Sequence, residues 1–428
     1  MTIEALSVLV IFVFTYFMLI AGKTRGSVIA FTMGLLVFVV KIVEKFEPED
    51  IGKIIDFDTI GLLFGMMIIV GIMKSTGFFQ FVAVHVVKLS HANFKTIFFR
   101  FSIVVALFSA FLDNVTTILL FSPLVFFITD TIGVDPSLFI FTLMFSANIG
   151  GAATLIGDPP NLLVGSASGK SFLDFIIVMA PVAISNMVIL LFMSRIFNPN
   201  YFSKIRKDRL KKLTELDPKK TITDKKLFLE STIVFSMVIL GFILHEVFDY
   251  KMALISIFGA AVLLLISGKT FEEVAKEVEW DTLFFFIGLF MLAHAMEEVG
   301  LIEKFTNFFL SLSNDPLILA LSIIWIGGFL SAFIGAVPTV TVMIPMVRKM
   351  VSMGLPDYLW WALAMGASYG GNATITGTAA NMVGVGLLES HRRKRISYVG
   401  FMKYGFPVMI FSLTTASFFI LLLSEFSK

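Results

Sequence analysis

A carboxylate and an amide, Asp113 and Asn114, stand side by side in the apolar run FLDNVTTILLFSPL at 111–124, and two hydroxyls, Thr116 and Thr117, follow at once. A charge inside an apolar segment is expensive, and such a residue marks an ion or proton path by default. The types present suit a cation, a proton or both. A second polar set lies in TLIGDPPNLL at 154–163. There Pro159 and Pro160 lack N–H donors and clash with the preceding turn, while Gly157 lets the chain leave helical geometry, so a helix breaks. The turn before the break keeps carbonyls free for a cation. The half-helix restarting near Pro159 is expected to offer N–H groups and a positive dipole end to an anion.

These sets need a scaffold that keeps them out of bulk water. The chain has 428 residues, 57% hydrophobic and only 15% charged, with a mean hydropathy of +0.93. Apolar runs of about 20 residues recur along its length, as membrane spans require. The fold class read from this is an all-α polytopic membrane protein. The net charge of +2 implies no nucleic-acid partner. The absence of cysteine excludes disulfides, thiolate metal sites and Cys nucleophiles, and five scattered His give no zinc pattern. No cofactor is expected. The N-terminal MTIEALSVLVIFVFTYF lacks a basic region and a cleavage site, and reads as a retained first span.

Spans are expected at about 4–21, 27–43, 58–77, 137–168 (interrupted), 173–196, 227–245, 249–267, 281–298, 358–388 (interrupted) and 403–424. The connection 198–226 carries ten Lys/Arg and four Asp/Glu, and SHRRKR at 390–395 is also basic. Both are expected in the cytoplasm. The acidic loop 44–57 and both termini then lie outside. This assignment closes only if 96–129 and 316–348 each enter and leave on one side, as re-entrant hairpins. Such backbone is tolerated at membrane depth when packed in protein or lining a wet cavity. Counting each hairpin as two crossings leaves every loop's side unchanged, so charge does not separate the two; short arms and polar tips favour hairpins.

Self-comparison is the strongest signal. FDTIGLLFGMM from Phe57 resembles WDTLFFFIGLF from Trp280, an offset of 223. SAFLDNVTTILLFSPLV from Ser109 matches SAFIGAVPTVTVMIPMV from Ser331, an offset of 222. GGAATLIGDPPN from Gly150 matches GGNATITGTAAN from Gly370, an offset of 220. The order and near-constant spacing give a first repeat at 1–197, a basic connecting loop at 198–226 and a second repeat at 227–428. With five crossings per half, the second is inverted: two inverted repeats of about five transmembrane helices, each with a re-entrant hairpin and a broken helix. Inverted repeats with broken helices mark secondary transporters, with the site near the midplane. The two hairpin tips, 113–117 and 335–339, are expected to face the breaks. Asp113 has no carboxylate counterpart, since Gly335 and Ala336 stand opposite, so one half-site is charged and one neutral. Thr378 stands where Asp158 does, and both suit the N-cap of a half-helix.

Plainer readings apply to other features. Pro123 and Pro345 read as kinks, His294 as a satisfied buried residue, and Lys74, Glu297 and Glu298 as snorkelling charges at span ends. GLLFG at 61–65 reads as helix packing. GSASGKS at 165–171 imitates a phosphate-binding loop, but only three residues separate its glycines and no strand precedes it.

LDNVTTILLFSP, NIGGAATLIGDPPNLLVGS, WWALAMGASYGGNATITGTAANMVG and FMKYGFPVMI resemble signatures of the ion transporter superfamily, in its arsenite permease and melanosomal P-protein branch. The resemblance covers most of the chain. It implies Na⁺- or H⁺-coupled movement of a small solute by a homodimer in which a transport part slides past a scaffold, in an elevator motion. It implies a first ion site at Asp113, Asn114, Thr116 and Thr117 with carbonyls around Thr154, Gly157 and Asp158. A second would use Thr339 with Asn372, Thr374 and Thr378. The solute would sit between them, near Asn114, Asn161, Pro338, Thr339 and Asn381. The second tip departs from the branch's Asp-Asn-Val-Pro, which places a second carboxylate-dependent cation site in question. The expected function is a secondary active transporter of a small anion or oxyanion-like solute in a prokaryotic inner membrane, arsenite-permease-like export being one version. A Na⁺/H⁺ antiporter, a passive anion channel and a subunit driven by a separate ATPase are the alternatives.

Overall fold

The computed structural model describes residues 2–21, 25–40, 51–91, 93–202, 213 and 215–426. Every longer element is a helix. In the first half of the chain these are α1 (Ile3–Ala21), α2 (Gly26–Val39), α3 (Phe57–Ser75), α4 (Phe78–Leu89), α5 (Phe94–Ser109), α6 (Asn114–Ile132), α7 (Ser137–Gly151), α8 (Pro159–Ser168) and α9 (Phe172–Phe197). The second half holds α10 (Lys225–Leu244), α11 (Met252–Ser267), α12 (Trp280–Glu298), α13 (Leu301–Leu312), α14 (Pro316–Ile334), α15 (Ala336–Ser352), α16 (Tyr358–Gly370), α17 (Ala379–Arg392) and α18 (Tyr398–Phe426). Seven of them are long and apolar enough to cross a membrane, and α1, α2, α4, α7 and α11 contain shorter apolar stretches. Residues 203–212 and 214 of the basic loop and 44–50 of the acidic loop lie outside the described residues.

Local chemistry sets the helix starts. Asp56, Asn93, Asp113, Asp224 and Asp315 each accept a backbone N–H of the first turn, and Ser171 with Asp174 forms a reciprocal capping box at α9. The polar tips therefore end one helix and start the next. Gly335, at φ +98°, joins α14 to α15 in a conformation that a side chain rarely adopts.

Small residues bring helices together in equivalent pairs. A Cβ on Gly65 of α3 would lie 2.6 Å from the Ser256 backbone of α11, and one on Gly288 of α12 would lie 2.3 Å from Ala30 of α2. Gly65 and Gly288 are 223 residues apart, so GLLFG packs helices as expected. Likewise a Cβ on Gly150 of α7 would meet the Ala106 carbonyl oxygen of α5 at 2.1 Å, and one on Gly370 of α16 would meet that of Gly328 of α14 at 2.2 Å. One group of helices is thus built on the α2–α12 and α3–α11 pairs. The other gathers α5–α9 and α14–α18.

The pairs α5/α6 and α14/α15 each fold back on themselves. Phe94 and Phe98, at the start of α5, pack against Phe139 at the start of α7, edge-on and tilted, with centroids 6.0 and 4.8 Å apart. Near the end of α6, Asp130 meets His391 at 3.0 Å, and just beyond it Asp135 meets Arg392 at 2.9 Å. So the outer ends of α5 and α6 lie together with the basic end of α17. At the other end of the molecule, Lys170 after α8 meets Asp357 before α16 at 2.6 Å. Here α15 runs out and α14 begins, because α14 runs parallel to α16, Gly366 facing Ile324 and Gly370 facing Gly328.

Candidate functional site

Both broken helices are held open by the same bonds. Between α7 and α8 the chain leaves helical form at 152–158, and between α16 and α17 it passes through two short 3-10 turns at 371–377. The Thr154 hydroxyl donates to the Ala110 carbonyl of the first hairpin, and the Thr374 hydroxyl to the Ala332 carbonyl of the second. Asn161 Nδ2 donates to the carbonyls of Ala152 (3.1 Å) and Thr154 (2.8 Å). Asn381 Nδ2 does the same to Gly371 (3.0 Å) and Thr374 (2.9 Å). The amides thus satisfy carbonyls that the break strips of helical partners.

The breaks are also tied to one another. Asn148 Nδ2 donates to Asn372 Oδ1 and to Asn381 Oδ1, both at 3.0 Å, and Ser368 Oγ donates to Asn161 Oδ1 at 3.3 Å. Asn148 and Ser368 are 220 residues apart, as are Asn161 and Asn381, so the two crossings are matched. Asn161, Asn372 and Asn381 are fully buried and spend their amides on this frame. Asn161 and Asn381 do not line the central cavity.

That cavity, of about 310 Å³, opens between the two tips and the two half-helix starts. Asp113, Asn114, Asp158 and Glu279 line it, as do Gly335–Pro338 and Thr378–Ala380. The first tip and break meet here: Asn114 Nδ2 donates to Asp158 Oδ1 at 3.1 Å, and Ser109 Oγ donates to Asn114 Oδ1 at 2.5 Å. Asp113 caps α6, accepting the Thr116 N–H at 2.8 Å, and so combines a structural tip role with a carboxylate beside the cavity. Thr117 and Thr339 bond back to the carbonyls of Asp113 and Gly335, four residues earlier. Thr116 turns to Glu279, and Thr339 lines a separate apolar cavity with Tyr16. Gly157 packs under the first tip, where a Cβ would lie 2.4 Å from the Ser109 carbonyl oxygen.

Three expectations need correction. Asp158 occupies the N-cap position of α8 but makes no capping bond, because Pro159 and Pro160 have no N–H to give it, and its Oδ1 accepts from Asn114 instead; Thr378 does cap α17, accepting the Asn381 N–H at 3.1 Å. The start of α8 offers few N–H groups: Pro159 and Pro160 have none and the Asn161 N–H bonds the Asp158 carbonyl at 3.0 Å. The N–H donors lie instead at the start of α17, at Ala379 and Ala380. Finally, His294 is half-buried, not enclosed, and lines an outer cavity of about 450 Å³ with Asp56, Glu297 and Arg348.

Sequence reasoning missed Glu279, Asn148 and Ser368. Each had a signal in the self-comparison. Glu279 and Asp56 are the acidic residues immediately before the paired WDT and FDT blocks, and Asn148 and Ser368 are equivalent polar positions two residues before the GG pairs.

Comparison with known proteins places this arrangement. Residues 16–366 match the family described as CitMHS, citrate transporter. An uncharacterized transporter of Mycobacterium tuberculosis is 34% identical over 96% of both chains. The P protein of Mus musculus is 30% identical over 86% of this chain, which spans about half of that protein's length (54%). The solved structure of the Alcanivorax borkumensis YdaH transporter aligns with a TM-score of 0.59 at 14% identity, over 87% of this chain and 86% of that one, a likeness of fold. The chain therefore belongs to the CitMHS citrate transporter family within the ion transporter superfamily, and is an integral membrane transporter, not an enzyme.

Proposed function

We propose that the protein is a secondary active transporter that moves a small anion together with Na⁺ or H⁺ through the central cavity. The observation that carries this reading is the split character of the lining. One set of residues, Asp113, Asp158 and Glu279, is carboxylate. Another, Thr378 to Ala380, presents a helix start with unpaired N–H groups and a positive dipole end. The described lining contains no Lys, Arg or His. An anion entering beside uncompensated carboxylates is repelled, so a cation or proton must neutralise them first. That requirement is itself a coupling mechanism.

The matched bonds at Thr154 and Thr374, and at Asn161 and Asn381, support two inverted halves, 1–197 and 227–428, joined by the basic connection 198–226. In this reading the basic connection and the Arg392 end face the cytoplasm, and both termini face out. The group carrying the hairpins and broken helices moves against the α2–α12 and α3–α11 pairs, in a homodimer, in a prokaryotic inner membrane. The charged half-site binds the coupling ion through Asp113, Asn114 and Asp158.

Purified protein in proteoliposomes tests this. Na⁺ and pH gradients are imposed separately with citrate, a dicarboxylate, arsenite, chloride or no added anion. Anion accumulation that requires one gradient supports coupled anion transport. Downhill anion flux indifferent to both gradients refutes it. A Na⁺/H⁺ antiporter is the second reading, favoured by the same cation-free, carboxylate-bearing lining. Proton movement driven by Na⁺ with no anion present decides for it.

A further inference from the structure

Glu279 joins the two groups of helices at the edge of the central cavity. It belongs to α12's N-terminal boundary, yet its carboxylate caps no backbone N–H. Its Oε1 accepts from Thr116 Oγ1 of the first hairpin at 2.8 Å, and its Oε2 accepts from Thr282 Oγ1 at 3.0 Å. Helix α12 packs on α2, whereas Thr116 lies on α6 with the hairpin group. This bond therefore ties one group to the other.

Its position is asymmetric in two ways. A vestibule of about 400 Å³ near Lys74, Lys276 and Glu277 shares Asp113, Glu279, Leu63 and Met67 with the central cavity. The vestibule at the other end, with Asp56 and Arg348, shares no lining residue with it. In this conformation the central cavity therefore borders the vestibule at the Lys74 end and not the one at the other end, and there Lys74 is itself held by Glu277 at 2.7 Å. The repeat supplies the second asymmetry. Asp56 is the equivalent of Glu279, 223 residues earlier, and Thr59 bonds it at 2.6 Å as Thr282 bonds Glu279. But the equivalent of Thr116, 222 residues later, is Pro338, which has no hydroxyl to give.

We infer that Glu279 is a positioning residue of the transport cycle: with Thr116 it latches the first hairpin to α12 in the conformation open to the Lys74 end, and the opposite conformation has no equivalent latch. The inference rests on the alternating-access reading above. Losing one hydrogen bond to a charged group shifts the balance between the two conformations about ten- to a hundredfold.

The native chain has no cysteine, so single cysteines report each vestibule without background. Leu119→Cys reports the Lys74 end and Ser166→Cys the other. The readout is the ratio of their maleimide labelling rates in detergent-purified protein. Thr116→Val and Glu279→Ala each lower the ratio at 119 over 166 by about tenfold or more, and Thr116→Ser restores it. The two single variants cut the bond from opposite sides, so a folding defect in one leaves the other to read. The double variant shifts no further than either single one, because both remove the same bond. Asp56→Asn leaves the ratio unchanged. If wild-type labelling responds to NaCl, citrate or a pH step but neither latch variant moves the ratio, the latch is overturned. If wild-type labelling responds to none of these, the alternating-access reading itself fails, and the latch with it.

Discussion

Asp113 holds two roles that different substitutions separate. As a cap it accepts the Thr116 N–H at 2.8 Å; as a charge it lines the central cavity. Asparagine caps as well as aspartate, so Asp113→Asn is expected to change stability by less than about 0.5 kcal/mol, while Asp113→Ala loses the cap at about 1 kcal/mol. The charge behaves differently. A carboxylate and a monovalent cation about 4 Å apart attract by about 4 kcal/mol at the effective dielectric of protein sites. If desolvation cancels half, about 2 kcal/mol remains, which is about a thirtyfold loss of apparent cation affinity. The assay pairs thermal unfolding in detergent with anion uptake into proteoliposomes across a titration of Na⁺ or H⁺. Asp113→Asn should melt with the wild type and require about thirtyfold more cation, or lose uptake altogether. Wild-type cation dependence in that variant removes Asp113 from the ion site. Asparagine as destabilising as alanine refutes the separation of roles.

Further outcomes follow from the same geometry. Because the Asp158 carboxylate does not cap α8, Asp158→Asn is expected to impair cation dependence as Asp113→Asn does; wild-type titration curves refute this. Thr378→Ala removes a working cap and should cost about 1 kcal/mol in unfolding measurements; no change in stability counts against it. Asn161→Ala takes the donor from the buried carbonyls of Ala152 and Thr154, at about 1–3 kcal/mol per group, and Asn381→Ala takes it from Gly371 and Thr374, of which Thr374 keeps the Gly377 N–H at 3.3 Å. Both should melt well below Lys170→Ala, which breaks an exposed ion pair worth less than about 1 kcal/mol, and equal melting temperatures contradict the framework role. Gly150→Val and Gly370→Val drive a side chain into a neighbouring carbonyl and should yield no monodisperse protein on size exclusion.

Much of this molecule is legible in one dimension. Hydropathy sets the membrane class, because the cost of unsatisfied backbone in lipid leaves only helices for segments this apolar. The self-comparison pairs Thr154 with Thr374 and Asn161 with Asn381, and each pair makes an equivalent bond, the threonines to Ala110 and Ala332 and the asparagines to the carbonyls of those threonines, because a repeated sequence meets the same local constraint twice. What the pairing could not give is where each side chain spends its hydrogen bonds. Asn161 and Asn381 look like ligands in the sequence and are consumed by carbonyls of their own breaks. Asp158 looks like a cap and is claimed by Asn114, 44 residues away. Glu279 looks like a helix boundary and reaches Thr116 across 163 residues. Residue type fixes what a group can donate or accept, whereas the partner it finds depends on which helices the fold brings within about 3 Å, a distance that no local pattern encodes.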